Sequence, residues 1–222
     1  ARAGGRGDRL ATVPIAAGSV TTSGISAGGY MAVQFHVAHS SLVSGVGVVA
    51  AGPYYCAENS LRHALGRCMK GDEPIAVDEL AGLTSEFALA GRIDPIANLA
   101  NDRVWIFHGG ADPVVAKPVV DALQAYYELF VNPDGVQRNE LADAGHTFPA
   151  AAKGLQDCGK TETPFVGSCG LDGARQMLEH LYGAFGAQAT GVRQGTLVHC
   201  SQASYAKAAD ADGFAERGWL YV

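Results

Sequence analysis

Apolar and polar positions along this chain change period several times, and each change marks an element. Val20-Thr21-Thr22 opens a short β-prone run that closes in Gly24-Ile25-Ser26-Ala27-Gly28. Helical spacing then predicts an amphipathic helix to about His39. Leu42 to Ala51 is apolar almost throughout and stops at Gly52-Pro53, the pattern of a parallel strand buried on both faces. Pro74 to Leu89 returns to helical spacing, and Val104-Trp105-Ile106-Phe107 predicts another buried strand. Pro118 to Val131 predicts a helix with Pro118 in its first turn. Gln137 to Ala142 predicts a strand, and Asp172 to Tyr182 a helix capped by Asp172 and stopped by Gly183. Leu197 to Val198 and Trp219 to Val222 are β-prone. Strands and helices alternate without an internal repeat, so the expected fold class is α/β with a mostly parallel sheet.

Composition narrows this picture. The 222 residues suit one domain, and 48% hydrophobic against 17% charged residues exclude disorder. A net charge of −6 with no Lys/Arg run argues against nucleic acid and against an anionic membrane surface. No apolar run approaches the roughly 18 residues that span a bilayer. Ala1 to Arg9 is polar and rich in Gly and Arg, with no apolar signal core, so an export signal is expected to have been removed or never included.

The five cysteines add a compartment. Cys56 and Cys68 flank a polar stretch, Ala57 to Arg67, expected to lack strand or helix of its own, and Cys158 and Cys169 bracket another such stretch, Gly159 to Ser168. Loops of about 10 residues closed by cysteines read as local disulfides, each worth roughly 2–3 kcal/mol. Such bridges imply an oxidising compartment, hence a secreted or periplasmic protein. Zinc ligation and inert buried thiols are the alternatives. No C-x-x-C or H-x-x-x-H spacing supports zinc, and neither a metal nor another cofactor is expected. Cys200 has no partner in this scheme.

Gly24-Ile25-Ser26-Ala27-Gly28 is G-x-S-x-G between a strand and a helix. That context strains the serine backbone and presents its hydroxyl at the top of a sheet. Glycines on both sides are expected to remove Cβ atoms that would collide as strand and helix approach. The helix N-terminus then turns backbone N–H groups toward developing negative charge, with Ala27 the expected oxyanion donor. A serine nucleophile needs a histidine base, and the histidine needs an acid that fixes its tautomer. In hydrolases of this kind the chain order is Ser, acid, His, each beyond the C-terminal end of a strand. Ser26, Asp112 and His146 occupy those places, Asp112 after Val104–Phe107 and His146 after Gln137–Ala142.

The competing residues fit less well. His36 and His39 lie on the helix after Ser26, too close in sequence to fold back onto its hydroxyl. His63 sits in the first cysteine loop and His180 in mid-helix, as a surface or packed side chain. His108 resembles the start of an oxyanion H-G-G, but it ends the strand of the acid and reads as a brace for the Asp112 turn. Asp143 is too near His146 in sequence. Asp94 and Asp102 precede strands and face the opposite sheet edge. A second oxyanion donor normally comes from a loop before the nucleophile, yet only 25 residues precede Ser26, against roughly 30 for one βαβ unit. The sheet is therefore expected to be completed from after His146 or from another chain.

With these residues in place, the sequence resembles the single-domain extracellular poly(3-hydroxybutyrate) depolymerases. The resemblance rests on Ser23-Gly24-Ile25-Ser26-Ala27-Gly28-Gly29-Tyr30-Met31-Ala32, Ala51-Gly52-Pro53-Tyr54-Tyr55-Cys56, Gly145-His146-Thr147-Phe148-Pro149, Asp172-Gly173-Ala174, Leu181-Tyr182-Gly183 and Gly218-Trp219-Leu220-Tyr221-Val222. It implies a circularly permuted α/β-hydrolase fold with helices on both faces of the sheet. It also implies Ser26 as nucleophile, Asp112 as acid, His146 as base, Ala27 as one oxyanion donor, and the bridges Cys56–Cys68 and Cys158–Cys169.

In that family the chain continues past the Leu-Tyr-Val strand to a His-Gly-Cys loop carrying the second oxyanion donor. His199-Cys200-Ser201 lies too early to be that loop. Residues 1–222 are thus expected to be one catalytic domain cut short at its C-terminal end, completed by a further segment or a second chain. Trp219 to Val222 is expected to form a strand or hairpin arm whose continuation, beyond Val222, lies next to the Ser26 turn. The expected activity is that of a secreted serine esterase acting on aliphatic polyester or its oligomers through an acyl-serine. A feruloyl or acetyl-xylan esterase is the nearest alternative, and a catalytically silent hydrolase-like binding module is the alternative from another class.

Overall fold

The structure is a computed structural model that describes residues 14–16, 18–186, 195–202 and 215–221. Residues Ala16–Phe185 form one compact unit, and the β-prone C-terminal stretches fall in another. In the larger unit, strands β1 (Val20–Ile25), β2 (Val43–Val49), β3 (Arg103–Gly109) and β4 (Val136–Leu141) make a four-stranded sheet in the order β1-β2-β3-β4. Every pairing is parallel. The buried runs behave as their composition requires, with Val46, Val48, Val104, Trp105, Ile106 and Phe107 sealed from solvent. Among the described residues β1 pairs with β2 alone and is an edge of the sheet.

Between these strands run α1 (Ala27–Ala38), α2 (Leu61–Leu65), α3 (Val77–Leu89) and α4 (Lys117–Glu128). Four parallel strands in sequential order require right-handed crossovers, which carry their connecting helices to one face. Accordingly α1 and α4 meet through His36 and Tyr127, and α3 meets α4 through Thr84 and Tyr126. Helix α5 (Gly173–Tyr182) covers the other face, where its Met177 fills the space a side chain at Gly47 would need. The sheet is therefore covered on both faces. Asp172 caps α5 by accepting from the Arg175 N–H at 3.0 Å, and Gly183 ends it at φ 93°. Pro118 lies in the first turn of α4.

Three expectations need correction. Helix α1 buries Gly29, Ala32, Val33, His36 and Val37, but its outer face carries Met31 at 63% and Phe35 at 41% exposure. It is apolar on both sides rather than amphipathic. The Cys56–Cys68 loop does contain a helix, the short α2, because Ser60 accepts from the His63 N–H and starts a turn. The second cysteine loop holds a strand of a small parallel sheet built from β5 (Phe148–Ala150), β6 (Gln156–Asp157) and β7 (Val166–Ser168) in the order β5-β7-β6. Strands of two or three residues leave no readable period in a sequence.

Both bridges form, Cys56–Cys68 and Cys158–Cys169, and Cys200 is unbridged among the described residues. In the second unit, β8 (Leu197–Ser201) pairs antiparallel with β9 (Arg217–Tyr221). Trp219 to Tyr221 is thus the arm of a hairpin, while Val222 and Ala1 to Arg9 lie outside the described residues. Among the described residues no helix is long and apolar enough to cross a membrane.

Candidate active site

Register brings three loops to one sheet edge. Ile25 pairs with Val49, Val49 with Phe107, and Gly109 with Leu141, so the C-terminal ends of all four strands lie in line. Backbone bonds continue across that edge, from Ser26 N–H to Val49 C=O at 2.9 Å and from Gly110 N–H to Leu141 C=O at 2.8 Å. Ser26 leaves β1, Asp112 follows β3 and His146 follows β4, the crevice where open α/β sheets bind ligands.

Ser26 has φ 55° and ψ −124°, far from helical values although α1 starts at the next residue, and its side chain caps nothing. A strained serine that spends no hydrogen bond on its own helix keeps its hydroxyl free. Gly24 is required here, since a Cβ would drive into the Gly28 carbonyl group. Gly28 is different, because a Cβ there would meet open space. The second close approach belongs to Gly29, whose Cβ would come within 3.0 Å of Ala51 Cβ. The motif glycine after the serine serves the elbow by offering its backbone to Gly24, which corrects the expectation of two symmetric clashes.

Asp112 and His146 are joined. His146 Nδ1–H donates to Asp112 Oδ2 at 2.8 Å, with the aspartate side chain fully buried and the imidazole nearly so. Asp112 Oδ1 accepts from the Val114 and Val115 N–H groups at 2.7 and 3.0 Å. Burial by itself raises the Asp112 pKa, but the His146 hydrogen bond and the two amides outweigh it, and the carboxyl ends below the usual carboxylate range. His108 Nε2–H donates to the Val115 carbonyl at 3.1 Å and so braces the Asp112 turn, as expected. Acid and base loops touch directly. Ala111 N–H donates to Ala144 C=O at 2.9 Å, and a Cβ on Gly109 would strike the Ala144 and Gly145 carbonyls. Among the described residues no hydrogen bond joins Ser26 Oγ to His146, so the structure brings two of the three residues into contact and places the third at the same edge.

Four of the other titratable candidates, His36, Asp102, Asp94 and His180, have separate partners. His36 is buried between Asp102 and Tyr127, at 3.0 Å from each, and Asp94 accepts from the Ser41 N–H at 2.9 Å. His180 is packed, with Nε2–H donating to the Gly135 carbonyl at 2.9 Å; burial lowers its pKa. Among the described residues no group of three or more His, Cys, Asp or Glu side chains is placed to hold a metal ion.

Beside Ser26 opens a cavity of about 480 Å³, bordered by Tyr30, Gln34, Tyr55, Asn59, Leu65 and Met69. Tyr30 donates to the Cys68 carbonyl, and burial pushes its hydroxyl pKa well above the usual phenol range, with a bond from the Gly52 backbone opposing. Gln34 Oε1 accepts from the Tyr55 N–H at 3.1 Å, and Asn59 Nδ2–H donates to the Tyr55 hydroxyl at 2.9 Å. Of the six non-glycine residues with positive φ among the described residues, Ser26, Tyr55, Glu58 and Asn59 border this cavity. Strained backbone of this kind clusters at functional sites. Apart from Ser26, the sequence reading gave these cavity residues no role, although Ser26, Tyr30 and Gln34 are spaced four apart.

Comparison with known proteins places this arrangement among relatives. No family model matches the chain. It is 40% identical over 204 residues to a poly(3-hydroxybutyrate) depolymerase of Delftia acidovorans, a match covering 91% of this chain and 40% of the relative. It is 34% identical over 208 residues to a polyhydroxybutyrate depolymerase of Talaromyces funiculosus, covering 92% of this chain and 59% of the relative. The crystal structure of the PHB depolymerase from Penicillium funiculosum superposes with a TM-score of 0.82 at 31% identity, over 93% of this chain and 63% of that one. A PHB depolymerase with serine replaced by alanine, complexed with an R3HB trimer, superposes equally well, with a TM-score of 0.82. The chain thus spans from two fifths to under two thirds of the proteins it matches. It is a homologue of poly(3-hydroxybutyrate) depolymerases, and its fold is of the α/β-hydrolase type that the sequence resemblance implied.

Proposed function

We propose that this chain carries the catalytic centre of an exported serine esterase that cleaves aliphatic polyesters of the poly(3-hydroxybutyrate) type, or their oligomers. The observation that carries the proposal is the strained Ser26 elbow at the same sheet edge as the buried Asp112–His146 pair, in a homologue of depolymerases. In this reading Ser26 Oγ attacks the ester carbonyl carbon while His146 Nε2 takes the hydroxyl proton. Asp112 holds Nδ1–H, so that Nε2 is the free base, and stabilises the imidazolium that forms. The Ala27 N–H, at the start of α1, faces the developing oxyanion, with a second donor supplied from outside the described residues. Collapse of the tetrahedral adduct expels the alcohol end of the polymer, which takes its proton from His146. Water, deprotonated by the same imidazole, then releases the acid and restores Ser26.

Both disulfides fit an oxidising compartment outside the cytosol. That residues 1–222 serve a single catalytic domain, completed by a further segment or a second chain, belongs to the same proposal. The test is hydrolysis of 3-hydroxybutyrate oligomers and of p-nitrophenyl butyrate by the intact protein and by Ser26→Ala. We expect turnover of both substrates, lost in the variant with the fold retained. Turnover of feruloyl esters without turnover of the oligomers would contradict the assignment.

A further inference from the structure

We propose that the loop closed by Cys158–Cys169 is a clamp on the histidine loop, with Thr161 the positioning residue for His146. The proposal rests on the reading of His146 as the base. The Asp112 bond fixes one ring nitrogen, but the ring hangs from a backbone whose own position must be fixed, and three of the four amides from Gly145 to Phe148 donate into this one loop. Gly145 N–H donates to the Cys158 carbonyl at 2.9 Å, His146 N–H to Thr161 Oγ1 at 2.9 Å, and Phe148 N–H to the Phe165 carbonyl at 2.8 Å.

The two bridged cysteines also bracket the segment. Cys158 accepts from Gly145 at one end, and Cys169 N–H donates to the Ala150 carbonyl at 2.8 Å at the other. The close approach is built into the sequence, since a Cβ on Gly145 would lie 2.5 Å from the Gly159 carbonyl oxygen and 2.8 Å from Thr161 Oγ1. The Phe165 ring meets the His146 imidazole edge-on, with centroids 6.1 Å apart. Within this loop only the three-residue strand β7 is regular structure, and the bridge ties its two ends together beside the backbone turns Lys160 N–H to Asp157 C=O and Phe165 N–H to Glu162 C=O.

The experiment compares Thr161→Val, which removes the acceptor at nearly equal volume, with Thr161→Ser, which keeps it. Steady-state kinetics on p-nitrophenyl butyrate are read together with the proton resonance of His146 Nδ1–H. In Thr161→Val, kcat is expected to fall by up to about 10²-fold, KM to stay within about twofold, and the Nδ1–H resonance to broaden or disappear. Thr161→Ser should restore both the rate and the resonance. A Thr161→Val protein with wild-type kcat and an unchanged resonance would overturn the clamp, as would a loss of activity that follows only the unfolded fraction and is not rescued by serine. The base reading fails separately, if His146→Ala leaves turnover intact. The resonance then decides the clamp alone: lost in valine and kept in serine supports it, and unchanged in valine overturns it. A Cys158→Ser/Cys169→Ser protein that folds should reproduce the valine result, and wild-type kcat in it would count against the bridge.

Discussion

Replacing Asp112 by asparagine tests the candidate site with a magnitude set by geometry. In the native arrangement Oδ1 accepts two backbone N–H groups and Oδ2 accepts His146 Nδ1–H. An asparagine can satisfy only one of these sets. If its oxygen faces Val114 and Val115, its NH₂ faces Nδ1, and the imidazole must move its proton to Nε2, where it can no longer act as base. The flipped amide would keep the tautomer but turn an NH₂ group on two partly buried amides. That sacrifices two hydrogen bonds of about 1 kcal/mol each and adds a desolvation cost of about 1–3 kcal/mol per orphaned donor. The first orientation is therefore favoured, and the wrong tautomer is expected to lower kcat by about 10⁴, equivalent to about 5.4 kcal/mol.

The assay is initial rates on p-nitrophenyl butyrate, with circular dichroism to show that the fold survives. A kcat within about tenfold of wild type would refute this account of the site. The same variant carries a pH signature. A carboxyl whose folded pKa is depressed contributes stability that is present above its unfolded value, near 3.9, and lost as pH falls through the folded pKa. Urea midpoints from about pH 5 downward should therefore fall less steeply in Asp112→Asn than in wild type.

Three further outcomes follow from the packing. Gly109→Ala should destabilise by at least about 1–3 kcal/mol by chemical denaturation, because its Cβ would meet the fixed carbonyls of Ala144 and Gly145; a neutral effect would show that acid and base loops are not in contact. His36→Leu should cost about 3 kcal/mol by leaving buried Asp102 and Tyr127 without their shared partner. Turnover per folded molecule should be unchanged in that variant, since the network belongs to the opposite sheet edge. Non-reducing peptide mapping should recover Cys56–Cys68 and Cys158–Cys169 as linked pairs, and a Cys56–Cys158 link would contradict the two local loops.

What the sequence displayed is what local chemistry determines. The strands around Val46 and Ile106 were legible because both faces are buried, and α5 because Asp172 and Gly183 are cap residues with a mechanism. Asp112 and His146 could be chosen because each follows a strand, and parallel strands in sequential order bring their C-terminal ends to one edge. What stayed hidden depends on long-range approach. Thr161 is a lone threonine until the second cysteine loop folds under His146. Tyr55 and Asn59 lie in a loop whose left-handed backbone no periodicity reports. The outer face of α1 misled the amphipathic reading, since Met31 there borders the cavity rather than the core. Gly28 was assigned a clash that belongs to Gly29, because motif symmetry does not reveal which Cβ meets an obstacle.

The central claim is that the Ser26 hydroxyl is the nucleophile activated by His146. Its most direct test is treatment of the intact protein with an organophosphate, followed by peptide mapping of the adduct. A single phosphorylated residue is expected, Ser26, with labelling abolished in Ser26→Ala and slowed by orders of magnitude in His146→Ala. An adduct on another residue, or labelling that persists in Ser26→Ala, would contradict it.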